Sequence, residues 1–174
     1  LPNLIGGIVL SYIWLMIFNS VLSNFSKTIV STQWYAFWGM IIVVCWQQIG
    51  YMMIIYIAGI QNIPGELIEA AKIDGANSWQ LLRYVTLPML MPTITICTFL
   101  TLTNGFKLFD QNFALTGGSP AKMSQLLALN IYDTMYGTTG WQGVGQAKAV
   151  IFFILVAVIA LIQNKLTTSK EVQD

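Results

Sequence analysis

Long apolar runs without charged residues alternate with short polar segments along this chain of 174 residues. Four of these runs approach or exceed the roughly 20 residues that a helix needs to cross a bilayer. They predict membrane spans at residues 3–22, 36–60, 87–107 and 146–164. We therefore predict an all-α, polytopic bundle of transmembrane helices that forms a single domain over residues 1–174.

Three polar segments separate or follow the predicted spans. The chain has eight basic and seven acidic residues, and five of these charged residues lie in 61–86. This segment is therefore predicted to form a loop outside lipid. Residues 110–145 form a long connection that contains the turn-forming run Thr116-Gly117-Gly118-Ser119-Pro120 and then a short surface helix within 122–136. Residues 165–174 form a tail.

Basic residues orient the spans. With four spans, the 61–86 loop and the tail lie on the same side, and they contain Lys72, Arg83, Lys165 and Lys170. The opposite side has Lys27 and Lys122. Because cytoplasmic loops are enriched in Lys and Arg, this weak bias predicts a cytoplasmic 61–86 loop and tail, and an extracytoplasmic 110–145 loop.

Composition narrows the possible functions. The chain is 56% hydrophobic and only 9% charged, against roughly 25% charged in soluble domains. Its net charge of +1 gives no basic field for nucleic acid, and it contains no histidine for catalysis or metal binding. Cys45 and Cys97 lie inside apolar runs, where a thiol behaves as a small hydrophobe. The sequence thus predicts no catalytic residue, metal site, cofactor or nucleic-acid partner.

Several local contacts follow from residue spacing. Gly7 and Ser11 are four residues apart and predict a face where another helix packs closely. Lys107 and Asp110 are three apart and are expected to pair as a local brace. Lys148, near the start of the fourth run, is expected to extend towards the membrane interface.

The 61–86 loop carries signals for a short helix. Pro64 suits the first helical position, and Glu66 and Glu69 fall in the early turns, where the helix dipole favours carboxylates. Glu69 can pair with Lys72 on one face. Gly75 suits the left-handed residue that ends a helix.

A second short helix is predicted after that turn. Ser78 is expected to cap it, and it carries Trp79, Leu82 and Val85 at three-residue spacing. Because a residue before proline disfavours the helical conformation, the helix is expected to stop before Pro88.

At these residues the chain resembles the permease subunits of binding-protein-dependent ABC importers. Their hallmark is Glu-Ala-Ala, then glycine after three residues, then Ile-x-Leu-Pro after nine; here Glu69-Ala70-Ala71, Gly75 and Val85-Thr86-Leu87-Pro88 match it, with valine for isoleucine. The resemblance implies a type I importer permease fold whose N-terminal spans precede Leu1. It also implies a coupling helix that docks on a separate ATP-hydrolysing subunit through Glu69, Ala70, Ala71, Asp74, Gly75 and Ala76.

Other short segments resemble the carbohydrate branch of that family, the maltose and multiple-sugar type. They are Leu1-Pro2, Ile60-Gln61-Asn62-Ile63-Pro64, Phe109-Asp110 and Thr116-Gly117-Gly118-Ser119-Pro120. This resemblance implies a bacterial or archaeal plasma-membrane location. The implied partners are cytoplasmic ATPase subunits, an identical or different second permease, an extracytoplasmic solute-binding protein and a carbohydrate substrate.

The residues inside the predicted spans favour a neutral substrate. No charge lies mid-span, and the predicted pathway consists of polar or aromatic side chains: Trp46, Gln47, Gln48, Tyr51, Thr103 and Asn104. Each is equally able to hydrogen-bond a neighbouring helix. Another small neutral or polyol-containing solute is an alternative, as is an ion-coupled carrier or channel. A carrier, a channel or an intramembrane enzyme would need titratable or charged groups within the spans, and these are absent there.

Overall fold

The computed structural model describes residues 2–168. Leu1, which belongs to the Leu1-Pro2 segment, and residues 169–174 lie outside the described part of the chain. Lys170, which entered the prediction of orientation, and the end of the predicted 165–174 tail are therefore also outside it.

Helices form the whole framework, and residues 2–168 contain no strand. After a 3₁₀ turn at Pro2–Leu4, the segments are α1 Gly7–Ser23, α2 Gln33–Gln61, α3 Gly65–Ile73, α4 Ser78–Leu81, a π turn Leu82–Thr86, α5 Leu87–Met89, α6 Met91–Phe106, α7 Asp110–Leu115, α8 Leu127–Tyr136 and α9 Gln142–Thr168.

Two helices are long and apolar enough to cross a membrane by themselves, α2 with 29 residues and α9 with 27. The helical stretches Ser78–Met89 and Met91–Phe106 meet the same criterion together, but they are bent by 66°. α1 is apolar and has 17 residues. The membrane boundaries proposed from the sequence remain predictions, because no bilayer defines them.

The helix expected to stop before Pro88 continues through it, so that prediction was wrong. The chain widens into the π turn at Leu82–Thr86, where the Leu87 N–H reaches the Leu82 carbonyl. A proline ring clashes with the carbonyl four residues earlier, which for Pro88 belongs to Tyr84. Because Tyr84 lies inside the wide turn, we attribute the tolerance of Pro88 to that widening. The break occurs at Leu90 instead.

The chain divides into two compact units, and α2, α6 and α9 each contribute residues to both. Unit 1 comprises, among the described residues, 2–51 and 104–156. Its core cluster joins Leu10 of α1, Met40 and Val43 of α2, and two residues outside those helices, Ile29 and Leu115. Within this unit α1 packs against α7.

The small-residue face of α1 lies at that contact. A Cβ added at Gly7 would come within 2.8 Å of the Asp110 Cβ on α7. Ser11 is fully buried, and its hydroxyl donates to the Gly7 carbonyl at 2.7 Å. The close packing predicted for Gly7 and Ser11 is therefore present.

A buried amide organises the loop that follows α7. Asn112 accepts a hydrogen bond from the Leu126 N–H at 2.8 Å and donates to the Ser124 carbonyl at 2.8 Å. It also donates to the Thr116 hydroxyl at 3.0 Å. Gly117 and Gly118, with φ of 56° and 81°, provide the left-handed conformations of the predicted turn. One side chain thus holds both ends of the 116–126 loop.

Unit 2 comprises residues 52–103 together with, among those described, residues 157–168. It contains α3, α4, the π turn and α5, and consecutive members of this series contact one another. α2 and α6 approach closely in this unit, because a Cβ at Gly59 would meet the Thr93 side chain. Ile63, between α2 and α3, is buried.

Candidate functional site

The Glu-Ala-Ala segment, which we define as residues 65–76, consists of α3 and its C-terminal turn. Pro64, predicted as the first helical residue, is instead the N-cap of α3, and the helix begins at Gly65. At the other end, the Ala76 N–H bonds the Ala71 carbonyl at 3.0 Å and the Gly75 N–H bonds the Lys72 carbonyl at 3.1 Å. This pair is a Schellman motif. Gly75 has φ of 80°, which confirms its predicted left-handed conformation.

The segment is almost fully accessible. α3 contains no buried residue, Glu69, Ala70, Asp74 and Gly75 are exposed, and Ala71 and Ala76 are half-buried. Ile73 is 86% exposed although it is strongly apolar. The Glu69–Lys72 ion pair expected from spacing is absent from residues 2–168, where one ion pair joins Lys122 to Asp133. The structure therefore presents Glu69 and Lys72 as separate charges beside an exposed apolar side chain.

The helix after this turn is capped by Asn77 instead of Ser78, which corrects the sequence prediction. The Asn77 Oδ1 accepts from the Gln80 N–H at 2.9 Å, and the Gln80 Oε1 accepts from the Asn77 N–H at 2.8 Å. This reciprocal arrangement is a capping box. It fixes the direction in which the chain leaves Gly75 for α4.

A second candidate region is a polar cavity of about 430 Å³ within unit 1. We call it the polar cavity, and its polar lining residues are Asn3, Gln47, Gln48, Asn104, Lys107, Asp110 and Gln111. Three of the predicted pathway residues, Gln47, Gln48 and Asn104, therefore share one cavity. Of these, Gln47 and Gln48 come from α2 and Asn104 from α6.

The two glutamines of the cavity differ in their partners. Gln47 is buried, and its Oε1 accepts a hydrogen bond from the Gln111 Nε2 at 2.8 Å. This bond ties α2 to α7. The Gln48 Oε1 is also buried, but it has no hydrogen-bond partner among residues 2–168. A buried acceptor of this kind is costly unless something donates to it.

The other three predicted pathway residues do not line the polar cavity. Trp46 makes an edge contact with Trp14, with ring centroids 5.6 Å apart. Tyr51 is exposed. The Thr103 hydroxyl donates to the Phe99 carbonyl at 2.8 Å, inside its own helix.

The predicted Lys107–Asp110 brace is not formed in residues 2–168. The spacing rule applies to a continuous helix, whereas α6 ends at Phe106 and α7 begins at Asp110. Both side chains line the polar cavity. This cavity therefore contains charged groups, unlike the uncharged pathway that the sequence predicts. Sequence reasoning also missed Asn3 and Gln111; the cluster of Lys107, Asp110 and Gln111 after the third apolar run was the available signal.

Comparisons with known proteins cover nearly the whole chain. The family model "Binding-protein-dependent transport system inner membrane component" matches residues 1–170. The probable starch degradation products transport system permease protein AmyD of Thermoanaerobacterium thermosulfurigenes is 50% identical, with 99% of this chain and 62% of that protein covered. The multiple sugar-binding transport system permease protein MsmF of Streptococcus mutans is 34% identical, with 98% and 62% covered. The chain thus spans about 62% of the length of these curated relatives.

A solved structure confirms the predicted all-α, transmembrane importer fold. A chain of a bacterial ABC transporter involved in import of the acidic polysaccharide alginate superposes with a TM-score of 0.81 at 21% identity. The match covers 97% of this chain and 62% of that one. With the family model matching residues 1–170, the chain belongs to the family of binding-protein-dependent transport system inner membrane components.

Proposed function

We propose that this chain is part of the permease of an ATP-driven carbohydrate importer in a bacterial or archaeal plasma membrane. The observation that carries the proposal is the family match over residues 1–170, together with relatives named as starch-product and multiple-sugar transport permeases. The chain provides half of a transport path, and a second permease provides the other half. A solute-binding protein delivers the substrate from outside.

Coupling to ATP hydrolysis is assigned to the Glu-Ala-Ala segment. Nine residues of α3 form a rod of about 14 Å at 1.5 Å per residue, which suits a cleft on a partner subunit. The exposed Ile73 supplies an apolar contact, and the small Ala70 lets the partner backbone approach. The Schellman turn and the capping box join this rod to the helices that lead to α6. A movement of the ATPase cleft is thereby transmitted through α3 and α4 to α6.

The solute is assigned to the polar cavity. Its amides offer both donors and acceptors, and Lys107 and Asp110 contribute one charge of each sign. Such a lining suits a neutral solute with many hydroxyl groups, because each hydroxyl both donates and accepts. An ion-coupled carrier would need an isolated carboxylate or a charged ring within the spans. ATP hydrolysis belongs to the partner subunit, so the permease alone is expected to lack it.

Uptake by cells that contain the whole transporter tests the proposal. Cells with and without this permease are given labelled maltose, maltotriose, lactose, trehalose and arabino-oligosaccharides. The proposal expects uptake of at least one sugar to require both the permease and ATP. Permease-independent uptake of all of them, or uptake driven by an ion gradient without ATP, contradicts it.

A further inference from the structure

An apolar groove lies between α8 and α9 in unit 1, and none of its lining residues is assigned to coupling or solute. It has a volume of about 240 Å³, and its apolar walls are Leu127, Ile131, Ile151, Phe152 and Leu155. α8 and α9 are in close contact beside it, because a Cβ at Gly145 would overlap the Met135 side chain. We call this the α8–α9 groove.

A lysine, Lys148, stands at one end of the groove and has no carboxylate partner among residues 2–168. The Lys148 Nζ donates to the Asn130 Oδ1 at 2.9 Å and to the Thr134 Oγ1 at 2.8 Å, and both acceptors are neutral. The one ion pair among residues 2–168 joins Lys122 to Asp133 and does not include Lys148. An ammonium group has three donors, so one N–H of Lys148 remains available. The sequence predicts that Lys148 extends towards the membrane interface. In the structure its side chain is directed at α8, where both of its acceptors lie.

The apolar wall extends from Lys148 along one face of α9. Ile151, Phe152 and Leu155 follow it at three, four and seven positions, which is a single helical stripe. The stripe extends about 10 Å at 1.5 Å per residue. Ile151 is 66% exposed, and α9 is one of the helices able to cross a membrane. The groove therefore opens on an exposed apolar surface of a helix able to span a bilayer.

We propose that the α8–α9 groove binds one phospholipid, with its phosphate on Lys148 and an acyl chain along Ile151 and Leu155. Charge complementarity decides the occupant. A phosphate oxygen can accept the remaining N–H of the Lys148 ammonium group, whose partners among residues 2–168 are neutral. The acyl chain contacts the apolar walls of the groove. Asn130 holds the ammonium in place. The bound lipid connects α8 to α9, a role independent of solute transport.

Lipid titration of the intact purified protein, followed by native mass spectrometry, tests the proposal. The probes are phosphatidylglycerol and a glucosyl-diacylglycerol with the same acyl chains, which lacks the phosphate. Wild type is expected to retain phosphatidylglycerol about fivefold more tightly than the glycolipid. Lys148→Gln should abolish this preference. Lys122→Gln, which removes one basic charge outside the groove, should keep it.

A second variant separates lipid binding from loss of the Lys148 bonds. Leu155→Trp fills the groove and leaves Lys148 intact, so it should weaken both lipids, whereas Leu161→Trp on the same helix should weaken neither. The proposal is overturned if Lys148→Gln keeps the wild-type preference or if Leu155→Trp binds both lipids normally. A photoreactive group in place of Ile151 should crosslink lipid; a crosslink to a neighbouring protein also overturns the proposal.

Discussion

Gly75 shows how one backbone conformation can determine the end of a helix, here the helix proposed to dock on the ATPase subunit. Its φ of 80° is strained for any residue with a Cβ, while a Cβ there would meet nothing within 4 Å. Gly75→Ala therefore changes only the backbone energy, by about 1–2 kcal/mol. We expect about fivefold or greater loss of affinity for the ATPase subunit, measured by co-purification at graded concentrations.

Gly65→Ala is the matched control for Gly75→Ala. Gly65 lies on the same helix, also has open space around its Cβ and does not have the left-handed conformation. Alanine there should be neutral or favourable to the helix. Equal losses of affinity in both variants would show that the turn geometry at Gly75 is not the cause.

Asn112 is a fully buried side chain with several hydrogen-bond partners in the 116–126 loop. Replacing it with leucine leaves the Leu126 N–H and the Ser124 carbonyl without their partners. Each unsatisfied buried group costs about 1–3 kcal/mol, so Asn112→Leu should clearly lower the thermal unfolding temperature in detergent. The exposed Asn62→Leu should change it little. An unchanged unfolding temperature for Asn112→Leu would contradict the assigned network.

At the scale of elements, the Asn77 capping box sets where α4 begins. Asn77→Ala removes the bond to the Gln80 N–H and should cost about 1 kcal/mol, which faster hydrogen exchange at Gln80 and Leu81 would report. Ser78→Ala should have little effect, because Ser78 is inside the helix. The opposite ranking of the two variants would restore Ser78 as the cap.

The elements also show what the sequence could and could not predict. Gly75 was predictable because a helix end that needs positive φ strongly selects glycine. Asn77 and Ser78 are both good caps, and only Gln80, three residues after Asn77, distinguished them. Continuation through Pro88 was not predictable from local rules, since it depends on a π turn. The apolar runs gave the helices of the bundle because burial in lipid requires every backbone group to be hydrogen-bonded.

At the scale of the molecule, the polar cavity was only partly foreseeable. The amides of Gln47, Gln48 and Asn104 are recognisable in the sequence because they lie inside apolar runs, but the contribution of Lys107 and Asp110 depends on the break between α6 and α7. Spacing along a sequence cannot reveal which helix ends meet. The same limitation explains why the sequence predicts Trp46, Tyr51 and Thr103 as pathway residues together with Gln47, Gln48 and Asn104, although they do not line this cavity.

The cavity assignment predicts a ranking of transport variants. Gln48→Ala and Asn104→Ala should each raise the KM for uptake about two- to tenfold, because each removes a hydrogen bond to the solute. Thr103→Ala is the control, since its hydroxyl is bonded within its own helix. A larger effect at Thr103 than at Gln48 and Asn104 would place the pathway elsewhere.

ATP-driven uptake by proteoliposomes containing the complete transporter is the most direct test of coupling through the Glu-Ala-Ala segment. Glu69→Lys is compared with Glu66→Lys, the same charge reversal on the same exposed helix but outside the motif. We expect Glu69→Lys to assemble with the second permease and lose about tenfold or more of the uptake, while Glu66→Lys keeps most of it. Uptake at the wild-type level by Glu69→Lys, with its ATPase subunit still bound, would contradict the account.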